Sequence, residues 1–542
     1  MLPKLRLAKR SLAAFWAMAG AAILSFAQSP VRQIPVPPPP MGWSSWNSFS
    51  NTVNAQIVMD QAKALATSGL EKAGYEYVNI DEGWWIGRRD KDGNIVVNDN
   101  QWPPVGLTDK PGDMTSIVNF IHNLGLKAGI YTDAGKDGCS MTPDLGPPFR
   151  DVGSEGHYEQ DFLQFAKWGF DYVKVDWCGG DKENLDPAVQ YVQIARAIAQ
   201  AEKATGRRLY FSICNWGKQS PWTWAPHTGE VSADIWRTSG DIVEPIVAGN
   251  LHADRKASFD KMLANFDQGI HPEAQHTGAY NDLDMMVIGM PGLTDKQNRV
   301  HMSLWTISGA PLIVGADITK LTPATLEMLT NPEVLAIDQD PAGLQAVKVA
   351  EPDKGIQVWS KPLARSGARA ILLLNRTDAD RDVTVRGTDL GLADQGRIQA
   401  RDVWSRSDLG IFDKSFDVHV KGGEAVLLLV TGTSVAAAQF KPEGVGPGKL
   451  LCRGCDYRFS KVGAHAEWAR IRITYVNPDK AARFADLYVN EQSGSRIAFP
   501  PTGPTPGSVT VQAFFDKPGP TNVLSFSASR DAMPAITAIE VE

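Results

Sequence analysis

The chain has 542 residues, 43% of them hydrophobic and 21% charged, with a net charge of −7. That length exceeds one ordinary core and predicts two or three domains. There is no basic excess to neutralise phosphates, which argues against nucleic acid as a partner.

The N-terminus reads as an export leader. Lys4, Arg6, Lys9 and Arg10 precede the apolar run "SLAAFWAMAGAAILSFA", and Ser25 and Ala27 supply small residues for cleavage. The run is short for a spanning helix, so cleavage is favoured over an anchor. Residues 1–27 are therefore set aside as a signal peptide. The protein is expected to be exported, periplasmic or secreted, with no membrane attachment after cleavage. "PVRQIPVPPPP" falls in an extended, Pro-rich lead-in over 28–40.

From 41 to 344, short apolar strands alternate with helical stretches. The strands read as 41–46, 75–84, 126–131, 170–177, 209–214, 233–240, 282–289 and 311–317. Helix patterns lie between them, such as "NAQIVMDQAKALATSGL" and "PAVQYVQIARAIAQA". Eight such units predict a (β/α)8 TIM barrel rather than an open doubly wound sheet. Beyond "IDQDPAG" the texture changes to short strands and turns. This predicts an antiparallel β-sandwich over 345–433. A linker follows over 434–449. A second C-terminal β-sandwich follows over 450–542, and it resembles a carbohydrate-binding module.

In a barrel, chemistry gathers at the C-terminal ends of the strands. Those ends carry Trp46, Asp81 and Glu82, Tyr131, Lys174 and Asp176, Asn215, Arg237 and Asp241, and Asp284. Four or more carboxylates, a lysine and an arginine have no reason to converge in a purely structural barrel. Lys174 and Asp176 in "FDYVKVDWCGG" are two apart, so both project to one side of their strand. A cation there favours the ionised carboxylate. Twelve of the sixteen tryptophans lie between Trp43 and Trp305, which fits a binding site or an aromatic core. Carboxylates beside indoles suit a sugar, which offers hydroxyls to the former and a C–H face to the latter. Retaining glycoside hydrolysis needs two carboxyls at about 5–5.5 Å. No HxH or HExxH pattern implies a metal, and no cofactor is expected.

Residues 41–345 resemble the glycoside hydrolase family of α-galactosidases and α-N-acetylgalactosaminidases, the clan D, family 27 type. The motifs that carry the resemblance are "MGWSSWN", "NIDEGWW", "GIYTDAG", "YVKVDWC", "WRTSGDI", "NDLDMMVIG" and "IDQDPAG", in family order. The resemblance implies Asp176 as nucleophile and Asp241 as general acid/base. It implies Trp46 as a stacking platform and Asp81 with the next acidic position as the grip on the 4- and 6-hydroxyls. Lys174, Arg237 and Asp284 would bind further hydroxyls, and Tyr131 would line the pocket. It also implies a Cys139–Cys178 disulfide, with Cys214 a buried free thiol. Cys452 and Cys455 stay open between oxidised and reduced.

Two positions depart from the family pattern. Glu82 stands where the family usually has Asp, and Asn215 where it often has Glu or Ser. The extra methylene of Glu82 would fall where the sugar's C6 group should sit. Three readings follow. The first is a retaining exo-α-galactosidase acting on a galactose-containing oligo- or polysaccharide. The second is the same machinery tuned to β-L-arabinopyranosides, which lack C6. The third is a non-catalytic sugar-binding protein, against which the presence of both Asp176 and Asp241 argues.

Overall fold

The computed structural model describes residues 31–104, 110–139, 151–227, 233–243, 255–276, 278–443, 457–492, 494–528 and 533–542. The leader, Cys452 and Cys455 lie outside these residues. Eight parallel strands form one sheet: Met41–Ser44, Tyr77–Asn79, Lys127–Asp133, Tyr172–Asp176, Tyr210–Cys214, Ile235–Arg237, Tyr280–Asp282 and Leu312–Val314. The eighth pairs with the first, Leu312 opposite Met41. The chain just past the seventh meets the eighth through a bridge between Met286 and Val314, which closes the barrel.

The helices between the strands have local reasons to start and stop. Asn54 caps Ala55–Thr67 by accepting from the Ile57 amide at 3.0 Å. Asp186 caps Pro187–Thr205, with proline at the first helical position. Gly169 ends Tyr158–Trp168 in the left-handed region, φ 96°. No helix among the described residues is long and apolar enough to cross a membrane.

Several strands differ from the sequence expectation. The seventh is Tyr280–Asp282, not 282–289. The apolar run "MMVIG" has strand composition, but Asp284 has φ 95°, which stops the pairing. Leu283, Met286, Val287 and Ile288 fill the core as irregular chain instead. The first strand stops at Ser44, and Trp46 opens a short helix, Trp46–Phe49. The second stops at Asn79, which leaves Asp81 and Glu82 in the loop above it. A hairpin of Trp85–Arg89 with Ile95–Val97 follows there.

Alternation along the strands builds the barrel interior in layers. The floor is Tyr77, Tyr172, Tyr210, Ile235 and Tyr280. Tyr172 and Tyr210 stack at 5.6 Å and 7°. Two residues higher come Asn79, Lys174, Ser212, Arg237 and Asp282, around a small cavity. Gly129 is required beside this layer, because a Cβ there would lie 2.0 Å from Asn79 Oδ1. Val173 and Val175, on the other side of the fourth strand, are buried in the main core.

The next domain has a six-stranded antiparallel sheet and a two-stranded one. Its central strand, Ala368–Asn375, is buried throughout. Ile371 and Leu373 face the sandwich core. Leu372 and Leu374 face the core shared with the barrel. The last domain packs a five-stranded sheet on a four-stranded one. Two of its strands were unexpected. Ala438–Phe440 lies in the stretch read as linker and pairs with Ala535–Val541. Arg32–Gln33 lies in the lead-in and pairs in parallel with Gly507–Ser508. Both are three residues or fewer, too short to show a period.

Candidate active site

The mouth is built upward from the tyrosine floor. On the fourth strand Tyr172, Lys174 and Asp176 share one side, so the charges rise above the aromatic layer. Lys174 Nζ lies 2.9 Å from Asp81 Oδ2 and 3.6 Å from Asp176 Oδ2. It also stands 5.3 Å from the Tyr131 ring centroid. Burial alone would push Lys174 down, but Asp176 and Asp81 carry it well above its ordinary value. Burial pushes the Asp176 carboxyl up, and Lys174 pulls it back. Lys174 is thus the group that favours a charged Asp176, at a depth where an unpaired charge costs several kcal/mol.

Asp81 is held from three sides. Its amide donates to Ser45 Oγ at 3.0 Å, and its Oδ1 accepts from the Glu82 amide at 2.8 Å. Its Oδ2 accepts from Lys174. Glu82 is 1% exposed. Its Oε1 lies against Gly138, where a Cβ would come within 2.4 Å. The longer side chain is therefore accommodated by a glycine in the loop after the third strand.

On the far side, Arg237 spans two carboxylates. Nη1 lies 2.9 Å from Asp284 Oδ1, and Nη2 lies 3.2 Å from Asp241 Oδ1. Asp284 is fixed further by the Ile242 amide, which donates to Oδ2 at 2.8 Å, and by the Met285 amide, which donates to Oδ1 at 2.8 Å. Burial raises the Asp284 carboxyl to about 7, against the pull of Arg237. The Asp241 side chain is 52% exposed, so it stands at the rim with room for an incoming group.

Asn215 is buried at the end of the fifth strand, and its Nδ2 donates to the Lys218 carbonyl at 2.8 Å. Asp176 Oδ1, Tyr131 OH and Asn215 Oδ1 are buried without a hydrogen-bond partner among the described residues. Such orphaned atoms are expensive unless a ligand or water answers them. Their place at strand ends marks the mouth as a polar binding site.

Cys139 and Cys178 form a disulfide and Cys214 is free and buried. Cys139 Sγ lies 3.4 Å from Asp176 Oδ2. Burial and Asp176 hold the Cys214 thiol well above its ordinary value, so it is a neutral wall.

Two residues near this site escaped the sequence reading. Asp133 accepts from the amides of Gly135 at 2.7 Å and Gly179 at 3.0 Å on Oδ1, and from Cys178 at 2.8 Å on Oδ2. It therefore ties together the two loops that the disulfide joins. Its signal was present in "GIYTDAG", as an acid ending a strand. Arg255 is the other. Its guanidinium lies 5.1 Å over the Trp46 ring. Burial lowers it, while Asp241, Asp81 and Asp284 act in the opposite sense. It belongs to no motif, and nothing in its neighbours in sequence marks it.

A family model described as "Alpha galactosidase A" matches residues 38–340. One described as "Alpha galactosidase C-terminal beta sandwich domain" matches 353–430. A third, "Alpha-galactosidase, CBM13 domain", matches 457–541. The chain is 36% identical over 381 residues to a probable α-galactosidase of Dictyostelium discoideum, covering 70% of this chain and 88% of that one. The structure of α-galactosidase I from Mortierella vinacea superposes with a TM-score of 0.62 at 29% identity, over 73% of this chain and 98% of that one. A β-L-arabinopyranosidase from Geobacillus stearothermophilus, at 23% identity and a TM-score of 0.61 over 73% of this chain and 96% of that one, shares the fold.

Proposed function

The chain belongs to the α-galactosidase family of glycoside hydrolases, and on that premise we propose that its barrel mouth releases terminal α-D-galactosyl residues by double displacement with retention. The observation that carries this reading is Lys174, placed between Asp81 and Asp176 at 2.9 and 3.6 Å. It supplies the cation that a buried carboxylate nucleophile needs.

Asp176 attacks the anomeric carbon as a carboxylate. The bond from that carbon to the leaving oxygen breaks, and Asp241 gives its proton to that oxygen. The aglycone departs as an alcohol. Asp241, now a carboxylate, takes a proton from water as the water oxygen attacks the same carbon. Asp176 leaves as a carboxylate, and one water is consumed. Asp81 and Glu82 grip the 4- and 6-hydroxyl side of the sugar, Lys174, Arg237 and Asp284 bind further hydroxyls, and Asn215 faces the 2-hydroxyl. Trp46 offers its ring to the sugar's C–H face, and Tyr131 walls the pocket.

Proton NMR of the products tests the reading. Hydrolysis of nitrophenyl α-galactoside should release α-galactose first, with the β anomer growing in later by mutarotation. First release of β-galactose would overturn it. A second reading has Glu82 to favour it: a longer acid than the family's Asp stands on the C6 side, which suits a β-L-arabinopyranoside that lacks C6. Export through the leader 1–27 completes the proposal, and a disulfide fits an oxidising compartment.

A further inference from the structure

The turn that ends the seventh strand is strained, and a neighbouring side chain holds it. Asp284 sits at φ 95°, a region that a residue with a Cβ rarely adopts. Such a conformation persists only where its surroundings over-determine it. Glycine would adopt it freely but would forfeit the carboxylate that meets Arg237 Nη1 at 2.9 Å. The support comes from two residues back. Asp282 Oδ1 accepts from the Asp284 amide at 3.0 Å. Aspartate makes this side-chain mimic of a backbone turn with the amide two residues on.

The same segment is laced to the loop that carries Asp241. Thr238 donates its amide to the Asp282 carbonyl at 3.0 Å and its hydroxyl to that carbonyl at 3.2 Å. Asn265 is buried on the helix Phe259–Gln268. Its Nδ2 donates to the Gly240 carbonyl at 2.7 Å and to the Leu283 carbonyl at 3.0 Å. The Ile242 amide donates to Asp284 Oδ2 at 2.8 Å. Thr238, Gly240 and Ile242 are therefore tied in turn to Asp282, Leu283 and Asp284, and Asp241 lies between the last two ties. Arg237 adds a side-chain tie, with one guanidinium nitrogen on Asp284 and the other on Asp241. Asp282 itself lies on the side of the strand that Tyr280 shares. There it lines the small cavity beside Lys174 and Arg237.

We propose that Asp282 is a positioning residue for the hydrolysis: its side-chain oxygen holds the Asp284 turn, and that turn sets where Asp241 points. This deepens the reading of the mouth as a retaining glycosidase and rests on it. Without the acceptor, the Asp284 amide is left unanswered in a buried turn, and the backbone relaxes toward negative φ. That rotation carries the Asp284 carboxylate away from Arg237 and from the Ile242 amide. The Asp241 side chain is half exposed and, among the described residues, accepts a hydrogen bond from Arg237 Nη2 alone. Its aim therefore depends on the guanidinium that Asp284 steadies. A proton donor displaced by a fraction of an ångström loses rate out of proportion to the distance.

Two leaving groups test the proposal. Methanol departs only with a proton from the acid, whereas nitrophenolate is a stable anion that leaves with little help. The kcat/KM values on methyl and nitrophenyl α-galactoside both report the steps up to departure of the aglycone. Their ratio is one that an unfolded fraction cannot move. Asp282→Ala should lower the methyl-to-nitrophenyl ratio by about tenfold or more. Asp282→Asn keeps the acceptor oxygen and drops the charge. The lost charge acts on the nucleophile and on sugar binding alike for both substrates, so the ratio should stay close to that of the parent. Where Asp282→Ala yields no folded protein, Asp282→Ser takes its place. Its hydroxyl makes the same turn more weakly, and the ratio should fall in the same direction. An unchanged ratio in the alanine or serine variant overturns the proposal, and so does an equally large fall in Asp282→Asn. A parent chain inert on both galactosides overturns the reaction on which the proposal rests, and the proposal with it. A parent active on both, with equal losses in Asp282→Ala, overturns the proposal alone.

Discussion

The guanidinium of Arg255 lies 5.1 Å over the ring of Trp46, and its Nη1 donates to the carbonyl of that same residue at 2.9 Å. One side chain therefore fixes both the indole and the backbone that carries it. A cation over an indole is worth about 0.5–2 kcal/mol. Arg255→Ala should loosen the platform and raise KM for nitrophenyl α-galactoside about two- to thirtyfold, with kcat changed far less. Arg255→Lys should recover little, because an ammonium lacks the planar stacking surface. An equal fall in kcat and kcat/KM would show that Arg255 acts in the transition state instead.

Asp176→Ala should lower kcat by about four orders of magnitude or more, as removal of a nucleophile does elsewhere. The protein should remain folded, since the substitution also removes a buried charge. Added azide should restore turnover and give the β-galactosyl azide, a single inversion. Lys174→Met should be severely impaired too, because it leaves Asp81 and Asp176 buried beside each other without a cation. Near-normal turnover in Asp176→Ala would remove the nucleophile assignment.

Glu82→Asp withdraws the carboxylate by about 1.5 Å, one C–C bond. The vacated space lies where Glu82 now meets Gly138. One methylene in a pocket discriminates by about 10–200-fold. The ratio of kcat/KM on nitrophenyl α-galactoside to that on nitrophenyl β-L-arabinopyranoside should rise accordingly. An unchanged ratio would pass the specificity question to Asn215.

Two histidines among the described residues, His276 and His301, are buried. Burial lowers His301 to about 3 and His276 to about 4. A folded value below the unfolded one, near 6.5, means the unfolded chain binds the proton first. Stability is then fully present above about pH 6.5 and is lost as the pH falls toward 3. His301 stands edge-on to Trp305 at 4.2 Å. His301→Phe should keep that contact and cut the stability lost between pH 6.5 and 5 by roughly 1.5 kcal/mol. Urea unfolding at the two pH values measures it, and an unchanged difference would contradict the assignment.

The sequence made the barrel legible because each strand end carries its chemistry in a compact motif. Lys174 and Asp176 could be placed on one side by period alone. The seventh strand was misplaced because "MMVIG" has strand composition, and composition does not register the left-handed turn at Asp284. Arg255 reaches Trp46 from a distant part of the chain through tertiary folding, so no local pattern points to it. The same holds for Gln512 and Arg369, which line one cleft only because two domains close on each other. What periodicity carried well was the face a residue occupies. It did not carry which partner waits across the gap.

The short strand Arg32–Gln33 has one more consequence. It joins the last domain's sheet at Gly507–Ser508, and Ile34 continues into that domain's core. The chain then runs straight to the barrel, where the Val36 amide donates to Pro341, Tyr280 OH donates to Pro37, and the Leu312 amide donates to Pro40. The last domain is therefore moored twice, once through the segment before the barrel and once through the segment that leads out of the middle domain. A module on a single tether sweeps a volume set by its linker, and its gain in avidity is diluted over that volume. A doubly moored one keeps a fixed bearing to the barrel. Cutting the chain after Pro40 would leave that bearing to a single tether.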